Sequence, residues 1–372
     1  MKRKGKIYSF KELDYFLIFL TLFCTVFGIV MISSAVNSME DGGKFLLIQS
    51  VAAGIGFVLM AIFTAINYEK VGSAWKVIYG ICIFLLMLVL LVGTGEQDTG
   101  SKSWIRFGAI GIQPSEFVKI GFIITLSKKA SEYGENINDP KNVLKLVAHL
   151  GVLLFLIMLQ PDFGTAMVFI FIFVGIVFAA GLSYKYFLTA AGTIIGIIPM
   201  AWFFFLKEYQ KNRIRVFISP ESDPLGSGYH VIQSKIAIGS GQVVGKGLYE
   251  GTQTQLGYLP VKHTDFIFAV IGEELGLLGC VAVTALLFGI VYKCIYNSTR
   301  TKSDMSKYIC VGVACMFLAH IFENIGMCIG LMPVTGIPLP FFSYGGSSII
   351  TNFVAIGLVL SVYMRKKSIS FN

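Results

Sequence analysis

The chain alternates along its whole length between long apolar runs and short polar segments. Because about 20 apolar residues are needed to cross a bilayer as a helix, we predict that these runs are membrane-spanning helices. The ten predicted spans cover residues 13–35, 45–66, 77–92, 112–126, 143–159, 165–180, 186–206, 266–292, 308–331 and 347–364. The pattern therefore indicates an all-α polytopic membrane protein, organised as a single integral-membrane domain over residues 1–372.

The composition agrees with this prediction and excludes several classes of protein. Hydrophobic residues make up 55% of the chain and charged residues 14%, whereas soluble domains carry about 25% charge. This excludes a disordered chain, a disulfide framework and a soluble nucleotide-binding enzyme. The seven cysteines lie in or beside apolar runs. We interpret them as buried apolar residues rather than disulfides or metal ligands.

The distribution of positive charge predicts the topology. The net charge of +9 would suggest nucleic-acid binding in a soluble chain, but in a membrane protein basic residues collect on cytoplasmic loops. If the amino terminus is inside, most lysines and arginines fall on inner segments and the short outer loops carry few. We therefore expect both termini in the cytoplasm, contacts with membrane lipid and no nucleic-acid partner.

This topology leaves one long extracytoplasmic loop, residues 207–265. Loops of such length are usually functional or disordered, and the many apolar residues of this one argue against disorder. We expect partly re-entrant or interfacial structure there. Its GSGQVVGKG stretch, residues 239–247, resembles a phosphate-binding loop but lacks the Walker spacing. Its glycines are expected to permit a tight backbone path.

Two pairs of polar residues lie within predicted spans, where ionisable groups are costly and point to function. Glu116 and Lys119 are three residues apart and share a helix face. They could neutralise each other or act directly on a substrate, and in either case they should face a cavity. For Glu323 and Asn324 we favour a structural hydrogen bond between helices.

Two aspartates precede predicted helices. Asp162, in QPDFGT, is expected to cap its helix amino terminus. Asp265, in HTD, could be another cap or a partly desolvated base at the membrane boundary. From spacing alone the cap is favoured. Composition and spacing do not choose between a transporter and an enzyme.

Six motifs taken in order resemble the SEDS family. They are SKSWIRFG, IQPSEFVK, LQPDFGTA, GSGYHVIQSKIAIGSG, GTQTQLGYLPVKHTDFIFAVIGEELG and NIGMCIGLMPVTGIPLPFFSYGGSS, and they span about the last three quarters of the chain. GTQTQL and PVTGIPLP resemble the elongation branch, RodA, more than the division branch (FtsW) or the sporulation branch (SpoVE). The chain departs from the pattern at Val261 and Lys262, where an acidic residue or arginine is usual after LP. It also departs at Gln242, His230 and Phe163, where glycine, glutamine and leucine are usual.

The resemblance implies a peptidoglycan glycosyltransferase of the bacterial plasma membrane. Such enzymes polymerise lipid II into β-1,4 glycan strands together with a class B penicillin-binding protein. The family's essential aspartate matches Asp265, which implies that Asp265 is the catalytic residue. It would act as general base on the acceptor 4-hydroxyl in one inverting displacement.

The departing diphosphate needs positive charge rather than a proton, from cations or from a divalent metal such as Mg²⁺ or Mn²⁺. No residue spacing implies a metal site. The candidates for substrate binding are Trp104, Arg106, Glu116, Lys119, Arg213, Arg215, Lys262 and His263. The competing hypothesis is a lipid II flippase, with Glu116, Lys119 and Glu323 on the translocation path. A scaffold that only activates the penicillin-binding protein is a third. Polar candidates cluster on the predicted outer side, which favours the polymerase over the flippase.

Overall fold

The computed structural model describes residues 13–95, 101–107, 110–204, 211, 215–223, 226–301 and 303–365. The α-helices in these ranges are α1 Tyr15–Val36, α2 Gly42–Ala65, α3 Tyr68–Ser73, α4 Trp75–Val92, α5 Pro114–Tyr133, α6 Pro140–Leu159, α7 Phe163–Ala179, α8 Tyr184–Phe204, α9 Ser227–Ser240, α10 Thr252–Gln255, α11 Ile267–Thr299, α12 Asp304–Cys328 and α13 Gly346–Met364. Two short 3₁₀ turns, Gly134–Asn138 and Pro220–Ser222, accompany them.

Helices lie over all ten predicted spans. Seven of those described, α1, α2, α4, α6, α11, α12 and α13, are long and apolar enough to cross a membrane, and α7 is a shorter apolar helix of 17 residues. The all-α polytopic membrane fold is therefore confirmed. The apolar pattern placed the end of α11 too early, because the helix continues to Thr299.

The pattern also did not predict an antiparallel hairpin between α4 and α5. Strands β1, Ile105–Phe107, and β2, Ile110–Ile112, are paired with Arg106 opposite Gly111. Each strand has only three residues, too few for an alternating pattern to stand out within an apolar sequence. The hairpin precedes Pro114, which occupies the first turn of α5 as its missing N–H allows.

The bundle has a buried centre and a lipid-facing periphery. The most apolar window of α13 is 89% buried, whereas that of α4 is only 17% buried. Helix α2 packs along α13, and α12 packs against α5, α7 and α11. The glycine at position 56 permits the close α2–α13 contact, because an added Cβ would lie 2.6 Å from a ring carbon of Phe353.

The predicted long loop contains regular structure in its described part. Helix α9 packs against α11 and α12, and we call the end of the bundle that carries this segment the outer end. The glycine stretch takes a tight path, as predicted: Gly245 has φ +84°. Its neighbours Lys246 and Gly247 donate their backbone N–H groups to the carbonyls of Glu273 and Glu274, both at 3.0 Å. These carbonyls lie beside Gly276, whose non-helical backbone interrupts α11.

Candidate active site

A cavity of about 980 Å³ opens at the outer end of the bundle. The hairpin and the first turns of α5 and α7 line it, as do segments 261–266 and 330–338. Its polar and aromatic lining includes Trp104, Arg106, Gln113, Glu116, Asp162, His230, Asp265 and Tyr344. The cavity therefore gathers residues that lie far apart in the sequence.

The opposite wall of the cavity is apolar and belongs to α2. Leu47, Val51 and Ile55 recur every four residues, so they share one helix face, and all three line the cavity. They are also 65%, 54% and 49% exposed. Side chains that line the cavity and also face outward make it continuous with the lipid-facing surface. The site thus joins a polar pocket to an apolar groove open to the membrane.

Asp265 lies in the loop that enters α11. The cap interpretation favoured by spacing is wrong: the helix begins at Ile267, its capping residue is Phe266, and no side chain makes the cap hydrogen bond. The carboxylate of Asp265 instead lines the cavity. Burial raises the pKa of Asp265 to about 6, and a hydrogen bond from Thr264 opposes that shift. The group is therefore mostly ionised at neutral pH, yet more basic than an ordinary carboxylate.

Three consecutive backbone carbonyls fix this loop. The carbonyl of His263 accepts from the backbone N–H of Tyr344 at 2.8 Å, and that of Thr264 accepts from Ser343 Oγ at 2.6 Å. The carbonyl of Asp265 accepts from Asn324 Nδ2 at 2.8 Å. The donors come from α12 and from the segment before α13. Each peptide of residues 263–265 is therefore held from outside the loop.

Asn324 also donates to the carbonyl of Ile337 at 2.8 Å. The predicted interhelical bond is therefore wrong in its partners, because Asn324 ties together two neighbouring loops that both line the cavity. The neighbouring Glu323 is 1% exposed. Neither of its carboxylate oxygens has a hydrogen-bond partner among the described residues.

Glu116 and Lys119 form a buried ion pair at 2.7 Å, with side chains 2% and 0% exposed. Lys119 Nζ also lies 2.8 Å from His320 Nε2. Glu116 lines the cavity, whereas Lys119 lies behind it and is not part of the lining. The two charges neutralise each other, which is one of the two interpretations that their spacing allowed.

The hairpin carries two of the sequence candidates to the cavity. Trp104 is half-buried there and Arg106 is exposed, and both line the cavity. Arg215 is exposed next to two lining residues, Val216 and Phe217. Arg213 lies outside the described residues.

Lys262 and His263 stand behind the loop rather than in the cavity lining. Lys262 is buried and donates to Ser38 Oγ at 2.7 Å and to the carbonyl of Thr254. Its burial lowers the pKa of Lys262. The imidazole of His263 packs against the rings of Phe45 and Tyr344, at centroid distances of 4.8 and 5.4 Å. Burial, followed by the charge of Lys262, lowers the pKa of His263 to about 4. Both residues are placed to support the loop.

Two more titratable residues line the cavity. Asp162 caps α7, as predicted, by accepting from the backbone N–H of Thr165 at 3.1 Å, and burial raises its pKa. It also accepts from Gln113 Nε2 at 3.3 Å. His230 was not a sequence candidate, and its departure from the family pattern was the one signal that could have found it. Its ring stacks on Phe266, with centroids 6.0 Å apart.

In the described parts of the chain, no three His, Cys, Asp or Glu side chains are grouped so that they could hold a metal ion. All seven cysteines are free, and all but Cys315 are buried. The carboxylates of the cavity therefore do not form a protein cage for a cation. They remain available to act singly.

The family model of the FtsW/RodA/SpoVE cell cycle proteins matches residues 14–368. The chain belongs to this family. Peptidoglycan glycosyltransferase MrdB of Escherichia coli K12 is 36% identical over 364 residues, which cover 96% of this chain and 95% of MrdB. Stage V sporulation protein E of Bacillus subtilis is 36% identical over 360 residues, covering 94% of this chain and 96% of that protein.

Solved structures of the family share the fold. A chain of a peptidoglycan synthase complex, described for its coordination of polymerization and crosslinking, superposes with a TM-score of 0.81 and 29% identity, covering 94% of this chain and 97% of that one. Rod shape determining protein RodA of Thermus thermophilus gives 0.71 and 27%, with coverage of 94% and 96%. The resemblance seen in the motifs is thereby confirmed, and the chain is a membrane protein of bacterial type.

Proposed function

We propose that the chain is a peptidoglycan glycosyltransferase that polymerises lipid II into β-1,4 glycan strands during cell-wall elongation. The observation that carries the proposal is the place of Asp265, a raised-pKa carboxylate on a fixed loop that lines a polar cavity continuous with an apolar groove open to lipid. A substrate with a sugar–diphosphate head and a polyprenyl tail needs such a junction. The identity with MrdB over nearly the whole chain supports the same activity.

The reaction needs one base. Asp265 takes the proton of the acceptor sugar's 4-hydroxyl while that oxygen attacks the anomeric carbon of the donor. The bond from this carbon to the diphosphate oxygen breaks, and the diphosphate leaves with the electron pair. Inversion at carbon converts an α-linked donor into a β-linked product. The diphosphate is already a weak base and leaves without being protonated. The enzyme therefore has only to remove the proton of the acceptor hydroxyl, for which a carboxylate of pKa about 6 is suited.

The candidate binding residues take distinct roles in this proposal. Trp104 and Arg106 contact the head group from the hairpin, and Glu116 contacts it from the cavity wall. Lys119 holds Glu116 in place through the buried ion pair. Arg215, exposed beside two lining residues, supplies positive charge, while Lys262 and His263 hold the catalytic loop from behind. Arg213, which lies outside the described residues, is also proposed to contribute positive charge. The polyprenyl tail lies along Leu47, Val51 and Ile55 of α2.

We further propose that a divalent cation, Mg²⁺ or Mn²⁺, arrives with the substrate. Mg²⁺ is commonly held by one or two carboxylates together with substrate phosphates rather than by an all-protein cage. Single cavity carboxylates such as Asp162 and Glu116 fit that mode. The cation would neutralise charge on the diphosphate.

The proposed topology places both termini in the cytoplasm and residues 207–265 outside, within one integral-membrane domain. The charge distribution supports it through the positive-inside rule. The proposed partner is a class B penicillin-binding protein, which would crosslink the new strand. The likeness to a chain of a synthase complex that couples polymerization to crosslinking supports such a partner.

Reconstitution separates the polymerase from the flippase. Purified protein in proteoliposomes with lipid II, with and without the partner, is assayed both for glycan polymer and for lipid II crossing the membrane. The proposal expects polymer and no translocation above protein-free vesicles. Translocation without polymer under every condition would assign the buried run of Glu116, Lys119 and Glu323 to a transport path instead.

A further inference from the structure

His230 combines access to the cavity with an unsatisfied polar edge. Its ring lines the cavity and lies nearly parallel to the ring of Phe266, with an interplanar angle of 11°. Its Nδ1 is buried with no hydrogen-bond partner among the described residues. Since Nδ1 is enclosed, Nε2 is the ring nitrogen that a ligand in the cavity can reach. Phe266 directly follows Asp265, so the imidazole is placed close to the catalytic loop.

The cavity has little positive charge for an anionic ligand. Among its described lining residues, Arg106 is the single lysine or arginine, whereas Glu116, Asp162 and Asp265 are carboxylates. Lys119, a buried ammonium behind the cavity, is paired with Glu116 at 2.7 Å. Apart from Arg106 and the divalent cation proposed above, a diphosphate in this cavity would therefore meet no positive lining group unless one is formed by protonation. His230 is the lining side chain that can become one by taking up a proton.

We propose that His230 is a further substrate-contacting residue, which binds the diphosphate of a polyprenyl-linked donor through Nε2 and carries a proton in that complex. This inference rests on the proposed function, and it identifies the His230 side chain as a group that recognises the leaving diphosphate. The imidazole is neutral in the free protein, because burial disfavours its charged form and lowers the pKa of His230. Binding of the anion draws one proton from solvent onto the ring, and N–H then donates to a phosphate oxygen. Apart from this proton transfer from solvent acid to the ring nitrogen, no covalent bond changes.

This coupling makes diphosphate affinity depend on pH. Affinity should rise as the pH falls, because protonation of His230 then costs less. Other groups around the cavity and beside α9 also titrate or carry charge. They are Arg106, Glu116, Asp162, Arg215, Glu221, Asp223, Tyr229, Lys235, Asp265, Glu323 and Tyr344. Asp265 is the strongest of these competitors, since its pKa is about 6 and its protonation would also favour an anion. The comparison is therefore made with Asp265 replaced.

The test measures binding of farnesyl diphosphate, a soluble probe, to Asp265→Asn and to Asp265→Asn/His230→Gln between pH 8 and pH 6. Contributions of the probe and of all other residues are common to both proteins. Loss of a charge-assisted hydrogen bond predicts about tenfold weaker binding at pH 6 in the double variant. The loss should be smaller at pH 8. Farnesyl monophosphate, with less charge, should show a smaller difference.

Two further variants separate ligand contact from packing. His230→Phe keeps the ring stacked on Phe266 and removes the nitrogens, so it should bind the probe as weakly as His230→Gln at pH 6. His149→Gln alters a buried histidine on α6 that does not line the cavity, and it should retain the pH dependence. Equal pH dependence with and without His230 overturns the proposal. So does wild-type affinity in His230→Phe.

Probe binding needs no turnover, so this result is independent of polymerisation. If wild type polymerises lipid II and His230→Phe does so with unchanged KM, the inference fails while the proposed function stands. If wild type makes no polymer but binds the diphosphate through His230, the proposed function fails and the site remains.

Discussion

Asn324 Nδ2 donates to the backbone carbonyl of Asp265 at 2.8 Å, although 58 residues separate the two positions in the chain. The same amide donates to the carbonyl of Ile337 on the neighbouring loop at 2.8 Å. One buried side chain therefore sets the distance between the catalytic loop and the cavity wall. Small displacements of a catalytic group cost large factors in rate, so this amide is expected to matter for turnover without touching the substrate.

Replacing Asn324 by Leu removes both hydrogen bonds and leaves two carbonyls without their donor. Each lost bond to a buried group costs about 1–3 kcal/mol. We expect a tenfold or greater fall in kcat at about constant KM, with the acid limb of the pH profile unchanged. Steady-state polymerisation kinetics over a pH series measure all three. Asn142→Leu is the matched control, because half-buried Asn142 at the start of α6 also donates to a backbone carbonyl, that of Asn136 at 2.9 Å. A rise in KM alone for Asn324→Leu would contradict a positioning role.

The buried pair Glu116–Lys119 should be intolerant of single substitutions. Glu116→Gln leaves an ammonium that is 0% exposed beside a neutral side chain, and such changes cost about 3–5 kcal/mol. The double variant Glu116→Gln/Lys119→Met should recover stability but not activity. Thermal unfolding in detergent and polymerisation measure the two effects. The half-exposed pair Lys128–Glu132, at 3.2 Å, is the control, for which about 0.5 kcal/mol is expected.

Activity should fall in acid as Asp265 becomes protonated. Burial raises the pKa of Asp265 to about 6, so kcat/KM should drop about tenfold for each pH unit below this value. The same raised pKa means that the folded protein holds this proton more tightly than the unfolded chain. Its contribution to stability is present in acid and is lost as the pH rises through about 4 to 6.

Asp265→Asn should therefore be at least as stable as wild type at pH 7 while being inactive. Thermal unfolding of both proteins at pH 5 and pH 7 measures the direction of this difference in stability. A lower midpoint of thermal unfolding for the variant at pH 7 would contradict the interpretation that burial of the ionised carboxylate destabilises the folded protein.

The apolar groove on α2 should bind the polyprenyl tail. Val51→Trp adds bulk where Val51 lines the cavity, so the KM for lipid II should rise about tenfold, with less effect on a short-chain analogue. Val58→Trp changes a residue on the same helix that is 56% exposed and lies outside the lining. Equal effects of the two substitutions on KM would contradict binding of the polyprenyl tail in this groove.

The apolar runs predicted the helices because a span must be both long and apolar, and this signal is local. The cap at Asp162 and the ion pair Glu116–Lys119 were also accessible, since their partners lie three residues away. The hydrogen bonds that fix the loop of Asp265 could not be predicted from the sequence. Their donors are distant in sequence, and no periodic pattern joins HTD to Asn324 or to SY at 343–344.

The same limit explains why the cap interpretation failed for Asp265. Asp162 and Asp265 both precede a helix in the sequence. Only the packing of two other segments decides whether such a carboxylate turns to the helix or to the cavity. His230 was missed for a related reason: its role depends on a ring contact with Phe266 and on an enclosed Nδ1. Neither is visible in one segment.

The catalytic role of Asp265 is tested by polymerisation of purified lipid II by wild type and by Asp265→Asn, with the partner penicillin-binding protein present. Asp41→Asn is the matched control, because Asp41 is an exposed carboxylate whose ion pair with Lys44 lies at the surface. We expect glycan polymer from wild type and from Asp41→Asn, and at least a hundredfold less polymer from Asp265→Asn. Polymer from Asp265→Asn at the wild-type rate would contradict the assignment of Asp265 as the base.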